Sequence, residues 1–161
     1  MTDFPRGMRM AGPGDEGRLF DLFAVAHGEN GFGTMDPQIV RDVIAKGCHR
    51  EGAAIALIDG PERVEAVIGL RAEKLWYCSD DAANWYWSDL LIYVHPLHRR
   101  SRHAPKLFQF ARWWGERIAM PVVLGLMPRE GLPQKDRMFE RHGRRVGALF
   151  AIGLPTEGAP H

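Results

Sequence analysis

Three things are scarce in this sequence. No apolar run approaches the length that a bilayer-spanning helix needs, which sets aside a membrane segment. Cysteine is nearly absent: Cys48 and Cys78 are the only two in 161 residues. They form neither a C-x-x-C pair nor an obvious catalytic arrangement, and in a reducing compartment both are expected as free thiols. Excess charge is missing too, since 21 Lys and Arg against 20 Asp and Glu leave a net charge of +1. That balance argues against a broad electrostatic footprint for nucleic acid. The first seven residues, Met1 to Gly7, carry no apolar core of the signal-peptide type, so a cytoplasmic location is expected. Internal repeats, linkers and low-complexity segments are also lacking.

What is present suits an ordinary folded domain: 45% hydrophobic and 25% charged residues in a chain of 161 match a soluble globular protein able to bury a real core. One domain is expected over residues 1–153, with a frayed tail over 154–161 that holds Pro155, Gly158 and Pro160. Met8 to Met10 reads as a short strand. Leu19, Phe20, Leu22, Phe23 and Ala26 give a first helix its apolar stripe, and Gly28, Gly31 and Gly33 are expected to end it in a loop. Asp36-Pro37 opens a second helix with Asp36 as N-cap and Ile39, Val40, Val43 and Ile44 inward; Gly47 is expected to stop it. Ala54 to Ile58 and Val64 to about Trp76 read as a hairpin around the turn Asp59-Gly60-Pro61-Glu62.

The rest is organised around Ser88 to Ala111. Leu90 to Val94 is a short apolar run that reads as a strand buried on both faces, and Pro96 ends it. Leu107, Phe108, Phe110, Ala111 and Trp114 then fall at helical spacing, with Ser101 as the expected N-cap. The first amides of a helix lack internal partners and the helix dipole adds partial positive charge there. With Arg99, Arg100 and Arg102 in that turn, a phosphate or pyrophosphate is the natural guest; a solvated basic loop is the plain alternative. His95, His98 and His103 are close in sequence, yet no Cys or carboxylate spacing completes a familiar site, so no metal is expected. Trp85 and Trp87 share a face if the strand has begun, and core packing is preferred for them over substrate stacking. Pro121 to Leu126 reads as a buried strand, Gln134 to His142 as a short helix ended by Gly143, and Val146 to Ile152 as a last strand. The order is β-α-α-β-β-β-α-β-α-β, an α+β fold.

The run Val94-His95-Pro96-Leu97-His98-Arg99-Arg100-Ser101-Arg102-His103-Ala104 resembles the acetyl-CoA pyrophosphate motif of the GCN5-related N-acetyltransferase (GNAT) family, V-x-P-x-x-R/Q-R/x-x-G-x-G/A. Arg99 takes the Arg/Gln position, Ala104 the last small position, and Arg102 stands where the family has its middle glycine. Lys135 to Arg144 resembles the family's later A-x-x-L-Y-x-K-x-G-F, with Phe139 in place of the tyrosine. The Arg99 to Ala104 variant looks more like bacteriophage-associated members than antibiotic-modifying ones.

The resemblance implies a mixed, mostly antiparallel central sheet flanked by helices, and acetyl-CoA as cosubstrate. It implies an enzyme that moves an acetyl group to a primary amine by direct attack on the thioester. The cofactor would meet the backbone of Ile92, Tyr93 and Val94 and the turn Arg99, Arg100, Ser101, Arg102, His103 and Ala104. Glu29 and Asn30, in the loop between the first helices, would face a small-molecule or peptide amine acceptor. Asp89 is the only carboxylate on the central strand, either a general base or a strand-start Asp bound to backbone. Since Phe139 cannot donate a proton, either Tyr93, His142 or water serves as the leaving-group acid, with Ser88 a weaker candidate, or the thiolate leaves unassisted. A CoA- or anion-binding protein without turnover and a phage nucleobase-modifying relative are the alternatives. A homodimer covering the aromatics near Trp85 and Trp113 is a further expectation.

Overall fold

A computed structural model describes residues 2–31, 33–75, 77, 79–81, 84–125 and 132–145. The order is β1 (Arg9–Met10), α1 (Glu16–Asn30), α2 (Pro37–His49), β2 (Ala53–Asp59), β3 (Val64–Lys74), β4 (Trp85–Val94), a 3-10 turn (Pro96–His98), α3 (His103–Ile118), β5 (Val122–Val123) and α4 (Leu132–Glu140). Five strands form one sheet in the order β1-β2-β3-β4-β5; every pairing is antiparallel except β4 with β5. This is the α+β, mostly antiparallel arrangement expected. The strand expected over Val146 to Ile152, the tail, Trp76, Cys78 and Leu126 lie outside the described residues. Among the described residues no helix is long and apolar enough to cross a membrane.

Alternating side chains give β2 and β3 two apolar faces, and helices cover both. On one face Ile55, Leu57, Val67 and Tyr93 pack with Leu19, Leu22 and Ala26 of α1 and Ile44 and Cys48 of α2. On the other, Ala56, Ile58, Ile68 and Leu70 pack with Leu107, Phe110 and Ala111 of α3. The N-terminal segment lies along α3: the N–H and hydroxyl of Thr2 donate to Glu116 Oε2 at 2.6 and 2.9 Å, and the Phe4 ring meets Trp113 edge-on at 4.9 Å. Trp87 packs edge-on against Trp114 at 5.1 Å, the core role preferred for it.

Several boundaries differ from the sequence reading, each for a local reason. The first helix runs through Gly28, a residue that lowers helix stability by only about 1 kcal/mol relative to Ala, and ends at Gly31, whose N–H donates to the carbonyl of His27 at 2.7 Å. Glu29 and Asn30 therefore sit on its last turn and not in a loop. Asp36 caps α2 as expected, its Oδ1 accepting from the amides of Gln38 at 2.8 Å and Ile39 at 3.2 Å. Gly47 does not stop α2 but lets it approach β2, since a Cβ there would stand 2.5 Å from Ile55 Cδ1; Arg50, in the left-handed region at φ 63°, closes the helix instead. Ile39 points to solvent, 63% exposed, instead of inward. The strands expected to be buried are not: β4 is half-exposed at every residue but Tyr93, and β5 has two residues with Val123 40% exposed. The cause is that β5 reaches only the start of β4.

Candidate functional site

β4 and β5 meet briefly and then separate. They pair at two positions, Trp87 with Val122 and Ser88 with Val123, and the Trp87 N–H donates to the carbonyl of Pro121 at 2.9 Å. Past Ser88, no strand among the described residues covers this side of β4. Among the described residues, the backbone from Leu90 to Val94, including Ile92, Tyr93 and Val94, has no strand partner on this side.

Asp89 stands where the two strands part. Its Oδ1 accepts from the N–H of Gly125, just past β5, at 2.5 Å. Burial pushes its carboxyl above the ordinary value, while the Gly125 amide pulls the other way and the nearby Glu73 charge adds a smaller upward push. The backbone bond, one of the two roles left open by the sequence, is therefore present, and the carboxyl is a weaker acid than an ordinary one.

A bulge then turns the strand over. Gly69 pairs with Leu91 and Leu70 with Asp89, so Leu90 is an extra residue in β4. Strict alternation would set Trp87, Asp89, Leu91 and Tyr93 on one face. Instead Trp87 and, by its pairing with Leu70, Asp89 lie on the α3 face, whereas Leu91 and Tyr93 lie on the α1 face. Asp89 and Tyr93, both candidates for catalysis, approach this edge of β4 from opposite sides.

Tyr93 is buried and closes a polar cluster with the end of α1. Arg99 pairs with the Glu29 carboxylate, its Nη2 lies 3.4 Å from the Tyr93 hydroxyl, and its guanidinium carbon is 5.8 Å from the Tyr93 ring centre. Burial first, then Glu29, pushes the Tyr93 phenol up to about 12, so it is a neutral proton carrier near neutrality. Arg99, expected to hold pyrophosphate, is already engaged with α1. Asn30 is half-buried beside Glu29.

The α3 turn retains other donors. Helix α3 starts at His103 with Arg102 as the N-cap residue and no side-chain cap at that position, one residue later than a Ser101 N-cap requires. Ser101 nonetheless takes up one orphan amide, its Oγ accepting from the His103 N–H at 3.1 Å. Pro105, in the third helical position, has no N–H to give. Of the four amides that a helix start leaves open, those of Arg102 and Ala104 have no partner among the described residues. Arg100, Ser101 and Arg102 are exposed there. The His103 ring turns away to Glu65 on β3, at 2.7 Å.

His142 belongs to a packing contact. Its ring stacks on Phe108 of α3, centroids 4.7 Å apart and planes within 1°, and Phe139 meets Phe108 edge-on at 4.8 Å. The three rings brace the end of α4 on α3, and no hydrogen bond among the described residues joins His142 to Asp89 or Tyr93. Trp113 likewise is covered by Phe4 and by Arg117, whose guanidinium carbon lies 5.5 Å from its ring centre.

Two carboxylates were not singled out by sequence. Glu73 accepts from the Tyr86 hydroxyl at 3.1 Å across β3 and β4, which only the pairing register reveals. Glu65 reaches His98 and His103 because of a bulge in β3, and no sequence spacing signals it.

No protein-family model matches the sequence, and no curated protein matches it. Many solved structures do match the fold. A ribosomal-protein-alanine N-acetyltransferase from Brucella melitensis is 13% identical, with 92% of this chain and 98% of that one covered at a TM-score of 0.65. AAC(6')-Iy, in complex with the bisubstrate analogue CoA-S-monomethyl-acetylneamine, is 11% identical, with 92% and 97% covered at 0.67. A GNAT family acetyltransferase of Staphylococcus aureus is 14% identical, with 91% and 97% covered at 0.60. With the parted strands and the basic turn that opens α3, these likenesses show that the chain has the fold of the GNAT acetyltransferases.

Proposed function

We propose that the protein is an acetyl-CoA-dependent N-acetyltransferase that transfers the acetyl group to a primary amine by direct attack on the thioester. The observation that carries this reading is the parting of β4 from β5 beside the exposed turn that opens α3. The edge of β4 at Ile92 to Val94 suits the amides of a pantetheine arm. The amides of Arg102 and Ala104, with the Arg100 and Arg102 side chains, suit the pyrophosphate. When bound, acetyl-CoA supplies the activated acyl group. Asp89 takes up the proton that the attacking amine loses, directly or through water, helped by its raised pKa. Tyr93, neutral near pH 7, returns a proton to the departing thiolate in preference to His142, whose ring is held flat on Phe108. Glu29 and Asn30 at the end of α1 border the acceptor side, where a small-molecule or peptide amine would meet a Glu29 carboxylate already paired with Arg99. A kinship with phage-associated members rests on the Arg99 to Ala104 variant alone.

A second reading, CoA binding without turnover, is favoured by Phe139, which lacks a hydroxyl and serves as packing. One experiment separates the two: titrate acetyl-CoA and CoA by calorimetry, then follow thiol release with a panel of amines. Binding with amine-dependent thiol release is expected. Binding without release supports the second reading, and no binding at millimolar cofactor sinks both.

A further inference from the structure

We propose that Glu65, His98 and His103 form a binding site for a first-row divalent cation of the zinc class, on the sheet side of the turn that opens α3. The three residues come from β3, the 3-10 turn and the first position of α3. One donor atom from each lies within 4.8 Å of the other two.

The backbone builds this cluster. Ile58 pairs with Ala66 and Asp59 with Val64, so Glu65 is the extra residue of a β3 bulge, a device that re-aims a side chain. Its carboxylate lies over Gly60, where a Cβ would stand 2.2 Å from Oε1. The other oxygen, Oε2, is left 2.7 Å from His103 Nε2 and 3.6 Å from His98 Nδ1. Zinc bonded to nitrogen and oxygen at about 2.0–2.1 Å in tetrahedral geometry holds its ligand atoms about 3.3 Å apart. Small side-chain rotations reach that spacing, opening the Glu65–His103 contact and drawing His98 in.

Donor chemistry narrows the ion. Two imidazoles and one carboxylate suit zinc and its transition-metal neighbours, whereas magnesium and calcium prefer oxygen throughout. Three protein ligands leave a fourth position for water or an anion. Access is from the His98 side, whose side chain is 30% exposed against 16% for Glu65 and 14% for His103. His95 stands outside the set, its Nδ1 accepting from the Leu97 N–H at 3.3 Å. One detail limits the affinity. His103 Nδ1 is buried without a partner among the described residues, and a cation on Nε2 places the ring proton there with no acceptor behind it. Micromolar binding is therefore expected, weaker than at a closed four-ligand site with a complete outer shell.

The test uses the full chain without a histidine tag, with cobalt(II) as the spectroscopic probe and zinc as competitor. One equivalent of cobalt should bind with visible ligand-field bands and be displaced by zinc. Zinc should shift the ring nitrogen signals of His98 Nδ1 and His103 Nε2 in a histidine 15N spectrum. Glu65→Gln and His98→Asn should each weaken binding roughly tenfold or more. His98 lies on a partly exposed turn, so His98→Asn decides the matter even if Glu65→Gln disturbs the fold. Absence of saturable binding into the high-micromolar range overturns the proposal, as does equal binding in wild type and His98→Asn, which would send the ion to other histidines. The readout is binding alone and does not depend on acetyl transfer.

Discussion

Arg99 and Arg102 occupy one turn in different settings, Arg99 paired with Glu29 and Arg102 exposed, and on the proposed function separate alanine substitutions should expose the difference. A guanidinium bonded to phosphate contributes about 1.5–3 kcal/mol, and each 1.4 kcal/mol is about tenfold in affinity. Arg102→Ala should therefore weaken acetyl-CoA and CoA binding by roughly 10- to 100-fold. Arg99 is paired with Glu29 and Tyr93, so Arg99→Ala should change cofactor affinity by less than about threefold, under 1 kcal/mol on the same scale. Its effect belongs to folding. The side chains of the Arg99–Glu29 pair are 52% and 33% exposed, so solvent screening holds their coupling to about 0.5–1 kcal/mol. Calorimetric titration of each variant measures the affinities, and urea unfolding of Arg99→Ala, Glu29→Gln and the double variant measures the coupling. If Arg99→Ala weakens cofactor binding as much as Arg102→Ala does, the ion pair opens on binding and the division of labour is refuted.

Three further expectations follow from single contacts. Asp15, with its side chain 12% exposed, is held at about 2, chiefly by its hydrogen bonds to Arg9. Its folded pKa is thus depressed, and its contribution of about 2 kcal/mol is present above about pH 4 and lost as the pH falls toward 2. The urea midpoint should drop across that window in wild type and drop less in Asp15→Asn; parallel profiles would refute the assignment. Gly47→Ala places a methyl 2.5 Å from Ile55 Cδ1 and should destabilise by about 1–3 kcal/mol, read as a lower unfolding midpoint with an unchanged denaturant slope. Asp89→Asn should lower kcat by roughly 10²- to 10⁴-fold with little change in acetyl-CoA KM, and the wild-type acid limb should lie above the ordinary carboxylate range. An unchanged kcat would leave Asp89 a backbone anchor only.

The elements of this fold were legible where the pattern is local. Asp36-Pro37 announced α2, the Gly60 turn announced the hairpin, and Leu107, Phe108, Phe110 and Ala111 announced the buried face of α3. The basic turn was legible too, as charge beside a helix start. What sequence hid were relations between strands. The run Leu90 to Val94 is as apolar as a buried strand, and nothing in it says that β5 covers only Trp87 and Ser88. The bulge at Leu90 has no residue signature, so the separation of Asp89 from Tyr93 could not be read. Arg99 looked like a free cation because Glu29, the partner that claims it, lies 70 residues away. Glycine misled at Gly28, which α1 runs through, and at Gly47, where close packing on Ile55 and not termination explains the residue.

The extra residue at Leu90 also sets how this chain can change length. Val94, Ile92 and Trp87 all face α3 only because the strand miscounts once between them. Deleting Leu90 would restore strict alternation and leave every other residue of β4 on its present face, Trp87 against Trp114 and Tyr93 beside Arg99, because Asp89 and Leu91 already pair with adjacent residues of β3. The strand can thus lose a residue at its bulge without turning any other side chain over, whereas a loss elsewhere shifts neighbouring side chains to the opposite face, and lineages descended from this chain should accept a one-residue deletion at Leu90 more readily than one at any other position of β4.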